Sequence, residues 1–272
     1  MLNKKEANWN AGSEQEQFAQ NHENLFSPKL ENLTAFKKRK KGVAVNLDHL
    51  AKEMSINTTA DFNKEIFAII PYGKKLCQSF MLYKDEINLI EQTSIQLAKK
   101  YLEESWHMEM KSYKETVESF FGQIFNNIPI SNSDYSLMPF STKFRPMKYL
   151  WINPGQIFDL PLSKEVAPTM IELTNGFTIE VDRKKRRVIE KMKQSFLTHG
   201  IIKRDSINQP VNITMGLLEY LEVNSTQITR QAAKNCEFQH IPGFAHTFFS
   251  TYSELHDNRV ISDFLREKEI YE

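Results

Sequence analysis

The chain has 272 residues, 40% of them hydrophobic and 25% charged, and a formal net charge of +1. Such a composition is ordinary for a globular protein, and the length allows one large core or two small ones. Three things are not expected: a membrane helix, because apolar runs such as Ile66-Phe67-Ala68-Ile69-Ile70 fall far short of roughly 20 residues; a secretory signal, because MLNKKEANWNAGSEQEQ has no apolar core; and a disulfide framework, because Cys77 and Cys236 are the only cysteines and stand far apart.

In chain order, residues 1–40 are polar and poor in apolar anchors, which predicts a disordered tail. The tail closes on five consecutive cations, Lys37, Lys38, Arg39, Lys40 and Lys41. They read as a solvated run at a domain edge or as a basic arm for a nucleic-acid backbone. Residues 41–130 are predicted as a helical domain. A short helix near residues 47–54 and an apolar element ending at Ile70 come first, and Pro71 and Gly73 mark a turn. One helical pattern then dominates residues 85–128. Ile87, Ile90, Leu97, Tyr101 and Leu102 recur at steps of three and four, and Val117, Phe120, Phe121, Ile124 and Phe125 continue them, with Asp85 as a candidate N-cap. As one helix this would run for about 60 Å; a break near residues 106–110 would give two.

Residues 131–168 carry Pro139, Pro146, Pro154, Pro161 and Pro168 and read as a Pro-rich connecting segment with short strands, for instance over residues 148–152. Residues 169–272 read as a small α/β domain. The fold class expected is α+β: a predominantly helical N-terminal half with a long amphipathic helix, then a smaller α/β C-terminal part.

Charge is unevenly spread. Residues 182–204 hold nine basic and two acidic side chains, whereas residues 205–272 hold five basic and ten acidic ones. On a helix over residues 183–199, Val188, Ile189, Met192 and Phe196 share one face, and Arg183, Arg186, Arg187 and Lys191 the opposite one. Gly200 is placed to end that helix. Ile201-Ile202 and residues 211–214 then suit short strands on either side of a polar turn.

The order IEKMKQSFLTHGII, QPVNIT, TRQAAKNCEFQHIP resembles the N-terminal domain of ParB/sulfiredoxin-like proteins. The resemblance rests on Ile189, Met192, Ser195, Phe196 and Gly200, then Pro210, Val211 and Ile213, then Arg230, Ala232, Ala233, Phe238, Ile241 and Pro242. It covers about a fifth of the chain. It implies an α/β domain in which an Arg-centred loop opening a helix meets a phosphate, with Arg230 in that role. Gln227, Ile228 and Thr229 stand where the family has a glycine and an acid or histidine, so nucleotide hydrolysis is not carried over with the fold.

Cys236, His240, His246 and His256 follow C-x3-H-x5-H-x9-H, which fits none of the usual structural zinc spacings. No Gly-rich phosphate loop or nucleophile signature is legible, and no catalytic residue, metal or cofactor is expected. The function expected is that of a non-enzymatic nucleic-acid-associated protein. Arg183, Lys184, Arg186, Arg187, Lys191, Lys203, Arg204 and Arg230, together with residues 37–41, would hold backbone phosphates with little base readout. The alternative is an interaction or assembly protein whose long helix and basic patch dock an acidic protein surface, including that of a second copy. An enzyme built on Arg230 and the histidines has the least support. The expected setting is cytoplasmic, or nuclear in a eukaryote, with no membrane partner.

Overall fold

The run Ile66-Phe67-Ala68-Ile69-Ile70 lies in a strand of a seven-stranded sheet. A computed structural model describes residues 51–52, 56–57, 59–72, 77–141, 149–161, 168–207 and 211–270. The strands are β1 (Ile56–Asn57), β2 (Ile66–Tyr72), β3 (Gln78–Tyr83), β4 (Ile87–Ile90), β5 (Ile130–Ser131), β6 (Ser136–Ser141), β7 (Tyr149–Ile152), β8 (Ile157–Asp159), β9 (Thr169–Leu173) and β10 (Thr178–Val181). The main sheet has the order β1-β4-β3-β2-β7-β6-β5, and β8, β9 and β10 form a second, three-stranded sheet. Pairing is antiparallel except between β1 and β4. In β2 the first four residues, and in β3 the last five, are all buried, so these strands are covered on both faces and show no alternation.

The helices are α1 (Ser94–Trp106), α2 (Met110–Phe121), α3 (Lys185–Ser206), α4 (Leu217–Tyr220), α5 (Gln227–Ala232) and α6 (Phe248–Ile270). Helix α1 packs on β2 and β7, and α3 packs on β5 and β6 while also touching α4, α5 and α6. Residues 42–272 form one compact unit. Among the described residues no helix is long and apolar enough to cross a membrane.

The predicted fold class is overturned. The N-terminal half is not predominantly helical, since the whole seven-stranded sheet lies before residue 153, and no strand follows Val181 among the described residues. The pattern over residues 85–128 is not one long helix: it divides into α1 and α2 at the break allowed near residues 106–110, and its first residues are not helical. Ile87 and Ile90, three apart, mimic a helical step, yet they lie in β4, held by the pairs Leu82↔Ile87 and Ser79↔Ile90. The helix begins instead at Thr93. Its hydroxyl accepts from Gln96 N–H at 3.2 Å while Gln96 Oε1 accepts from Thr93 N–H at 2.9 Å, a reciprocal cap. It ends where His107 turns to φ 54° and donates its N–H to Glu103 O at 2.8 Å. No Gly or Pro announces that stop. Gly122, at φ 63°, closes α2 as its glycine suggests.

Two further expectations change. Gly200 does not end α3, which continues through Ile201 and Ile202 to Ser206. A Cβ at Gly200 would lie 2.9 Å from Ile241 Cδ1, so the glycine serves close approach between α3 and the chain at Ile241. Residues 211–214 form a turn and not a strand. The residues expected to form a helix near 47–54 and the basic run at 37–41 lie almost wholly outside the described residues.

Candidate functional site

The start of α3 gathers the basic residues. β10 delivers the chain into a turn in which Arg183 N–H donates to Val181 O at 2.8 Å, and Thr169 of β9 donates its hydroxyl to Arg183 O at 2.6 Å. Lys184 is the N-cap; its side chain makes no capping bond, and the first turn contains no acid. Lys185 is anchored through Nζ to Leu160 O at 2.8 Å. The inner face of α3 behaves as the helical period demands: Val188, Met192 and Phe196 are buried, and Ile189 is half-buried.

On the outer face the Arg186 and Arg187 side chains are 88% and 72% exposed, and Arg183 is half-buried. Glu190 holds Arg186 Nε at 2.9 Å and Arg187 Nη1 at 2.8 Å. The bond from Arg187 holds its carboxyl below the usual range. One carboxylate thus serves two guanidinium groups, while Arg183 Nη1 donates to the Asp182 carbonyl at 2.9 Å. Asp182, Arg183, Lys184, Arg186 and Arg187 line an open depression of about 520 Å³. Lys191 lies one turn further along, its Nζ 5.9 Å from the centre of the Phe140 ring. Burial first, and then the charge of Arg183, lower its pKa to about 8.

The other predicted contacts do not join this surface. Lys203 is buried, with Nζ 3.0 Å from Glu222 Oε2 and over the Tyr220 ring. Arg204 is buried and donates to the carbonyls of Ile241 at 3.2 Å, Pro242 at 2.9 Å and Phe244 at 3.0 Å. Its neighbour Asp205 accepts from the backbone N–H groups of His246 and Phe248. These two positions fasten the loop that leads into α6. Arg230 is exposed, but in the last turn of a six-residue helix and not at its start.

Cys236 is buried, His240 Nδ1 accepts from Glu237 N–H at 3.0 Å, and His256 Nδ1 sits 3.2 Å from Ser112 Oγ. Among the described residues, no three His, Cys, Asp or Glu side chains are placed to share a metal ion.

A second feature had no signal in the sequence. A cavity of about 670 Å³ is walled by residues 62, 63, 65, 104–106, 132–136, 153, 155, 156 and 221–224 and by Phe196 and His199 of α3. Six stretches with no common spacing contribute to it, and only the fold brings them together. His199 is buried and its Nε2 is 3.0 Å from Ser133 O. A carbonyl only accepts, so Nε2 carries the proton and Nδ1 the lone pair. Burial, above all, lowers the His199 pKa to about 4. On another wall Glu65 Oε1 accepts from Asn153 Nδ2 at 2.9 Å and Gln156 Nε2 at 2.7 Å. No family model matches the chain, and no curated protein or solved structure matches it either.

Proposed function

We propose that this is a non-enzymatic nucleic-acid-associated protein that holds backbone phosphates at the start of α3. The observation that supports the reading is the N-terminus of a 22-residue helix with no side-chain cap, bearing Arg183, Lys184, Arg186 and Arg187, with Glu190 pairing two of them. Cations at that end oppose the helix dipole and repel one another, at about 0.3–1 kcal/mol each. A phosphate reverses both terms and meets the free N–H groups of the first turn. Lys191 extends the surface along the helix, whereas Lys203 and Arg204 take no part in this proposal because their charged ends are bound inside the fold.

The test is fluorescence anisotropy of a labelled duplex across a salt series. Arg183, Arg186 and Arg187 together replaced by Ala should weaken binding and flatten the salt slope by up to about 3 units, with the circular dichroism spectrum unchanged. A triple variant with the wild-type affinity and slope would refute the reading.

One observation favours a second reading, docking to a protein. Helix α6 exposes Val260, Ile261 and Leu265, at 54%, 57% and 54%. Mass in solution before and after nuclease treatment separates the two: self-assembly persists without nucleic acid.

A further inference from the structure

We propose that the cavity beside His199 binds a small organic polycation of the di- or polyamine class. Its volume of about 670 Å³ lies within the range of small-molecule sites. Glu65, Glu104, Asp134 and Glu222 stand on its walls, and among the described residues no lysine or arginine lines it. Glu222 has a partner in Lys203 at 3.0 Å. Glu65, Glu104 and Asp134 have no cation within ion-pair distance among the described residues. The cavity is therefore a region of negative potential that its own walls do not compensate.

The buried groups point the same way. His199 lines the cavity with its one proton committed to the Ser133 carbonyl, so Nδ1 is left as an acceptor with no hydrogen bond among the described residues. Glu65 and Asn153 are likewise held as a fixed acceptor and its orienting amide. The four carboxylates and His199 Nδ1 are acceptors without a proton to give, which suits ammonium donors and disfavours phosphates. Phe62, Trp106, Tyr135 and Phe196 also line the cavity and supply aromatic surface for methylene groups.

The spacing of the acids selects the shape of the cation. They come from four separate parts of the chain, and no three are close enough to share a metal ion. A compact divalent ion cannot satisfy them together, whereas a chain with amines at intervals reaches several.

Isothermal titration of the full chain, freed of nucleic acid by nuclease and high salt, tests this with spermidine, putrescine, magnesium chloride and the neutral 1,8-octanediol as probes. Spermidine should bind saturably at one site, putrescine more weakly, and magnesium and the diol not at all. Glu104→Gln combined with Asp134→Asn should weaken spermidine about tenfold, as expected for two exposed charge pairs. Ser105→Arg, which brings a guanidinium to the wall, should abolish binding with the thermal midpoint unchanged. Absence of saturable spermidine binding overturns the proposal, as does a diol or magnesium ion that binds as tightly. Binding that both variants leave untouched places the amine elsewhere and overturns it as well.

Discussion

Lys184 occupies the position where serine, threonine, aspartate or asparagine would satisfy a free N–H of α3, and it makes no such bond. Lys184→Ser should raise the unfolding free energy by about 1 kcal/mol in urea titration, from the new cap and from removal of a cation at the positive end of the dipole. The same variant should lower the salt slope of duplex binding by about 1 unit, since one phosphate partner is gone. A serine variant that is less stable than wild type would mean that Lys184 supports the fold. The local charge excess was legible in the sequence, because five consecutive cations need no tertiary information. That Lys203 and Arg204 belong to the interior was not. Their partners, Glu222 and the carbonyls at residues 241, 242 and 244, are distant in sequence and invisible to a charge count.

Among the secondary-structure elements, α3 illustrates how a single atom's space outweighs propensity. Gly200 in a helix interior costs about 1 kcal/mol relative to alanine, but the alanine methyl would press on Ile241 at 2.9 Å from Cδ1 and 3.0 Å from Cγ1. Ile241 is buried and its carbonyl is held by Arg204, so it has little room to yield. Gly200→Ala should therefore lose about 1 kcal/mol net, overpacking exceeding the helical gain. Adding Ile241→Val, which removes Cδ1, should recover most of it. Equilibrium denaturation of both variants checks this, and a single variant more stable than wild type would contradict it. Read without structure, Gly200 looks like a helix stop, because glycine is the residue of C-termini as well as of close approach. The stripe from Ile87 to Phe125 misled at its start, where Ile87 and Ile90 lie in a strand, for a related reason. Buried strand β4 and helices α1 and α2 all present apolar residues to one core, and hydrophobicity alone does not tell a period of two from one of 3.6 over four residues. The inner face of α3, 22 residues long, was legible because several turns repeat the same signal.

For the whole molecule, acid stability follows from where α3 lies. The helix packs on the main sheet and on α4, α5 and α6, so a proton forced onto it burdens a large part of the fold. His199 stays neutral inside, its pKa lowered to about 4, whereas the unfolded chain takes up the proton near 6.5. Between those values the unfolded state binds more protons, so stability is present above pH 6.5 and falls as the pH drops toward 4, by up to about 1.4 kcal/mol per unit. His199→Gln keeps a donor for the Ser133 carbonyl and does not titrate. The difference between its stability and that of wild type should change across pH 4 to 6.5 and be flat above pH 7. Parallel curves throughout would show that His199 is not buried neutral.

The side chains of Ile241 and Phe248 anchor the two ends of the loop between them in the core, and main-chain bonds clasp it: Arg204 takes three of its carbonyls, and Asp205 two of its amides. Gly243, at φ 74° with the Phe120 ring 2.2 Å from where a Cβ would stand, is fixed in identity. Phe244, 83% exposed, and the exposed Ala245 are not. A clasp made through main-chain atoms leaves those two side chains free to diverge. A lineage, or an engineer, can rewrite the chemistry shown there while the clasp beneath it stays the same.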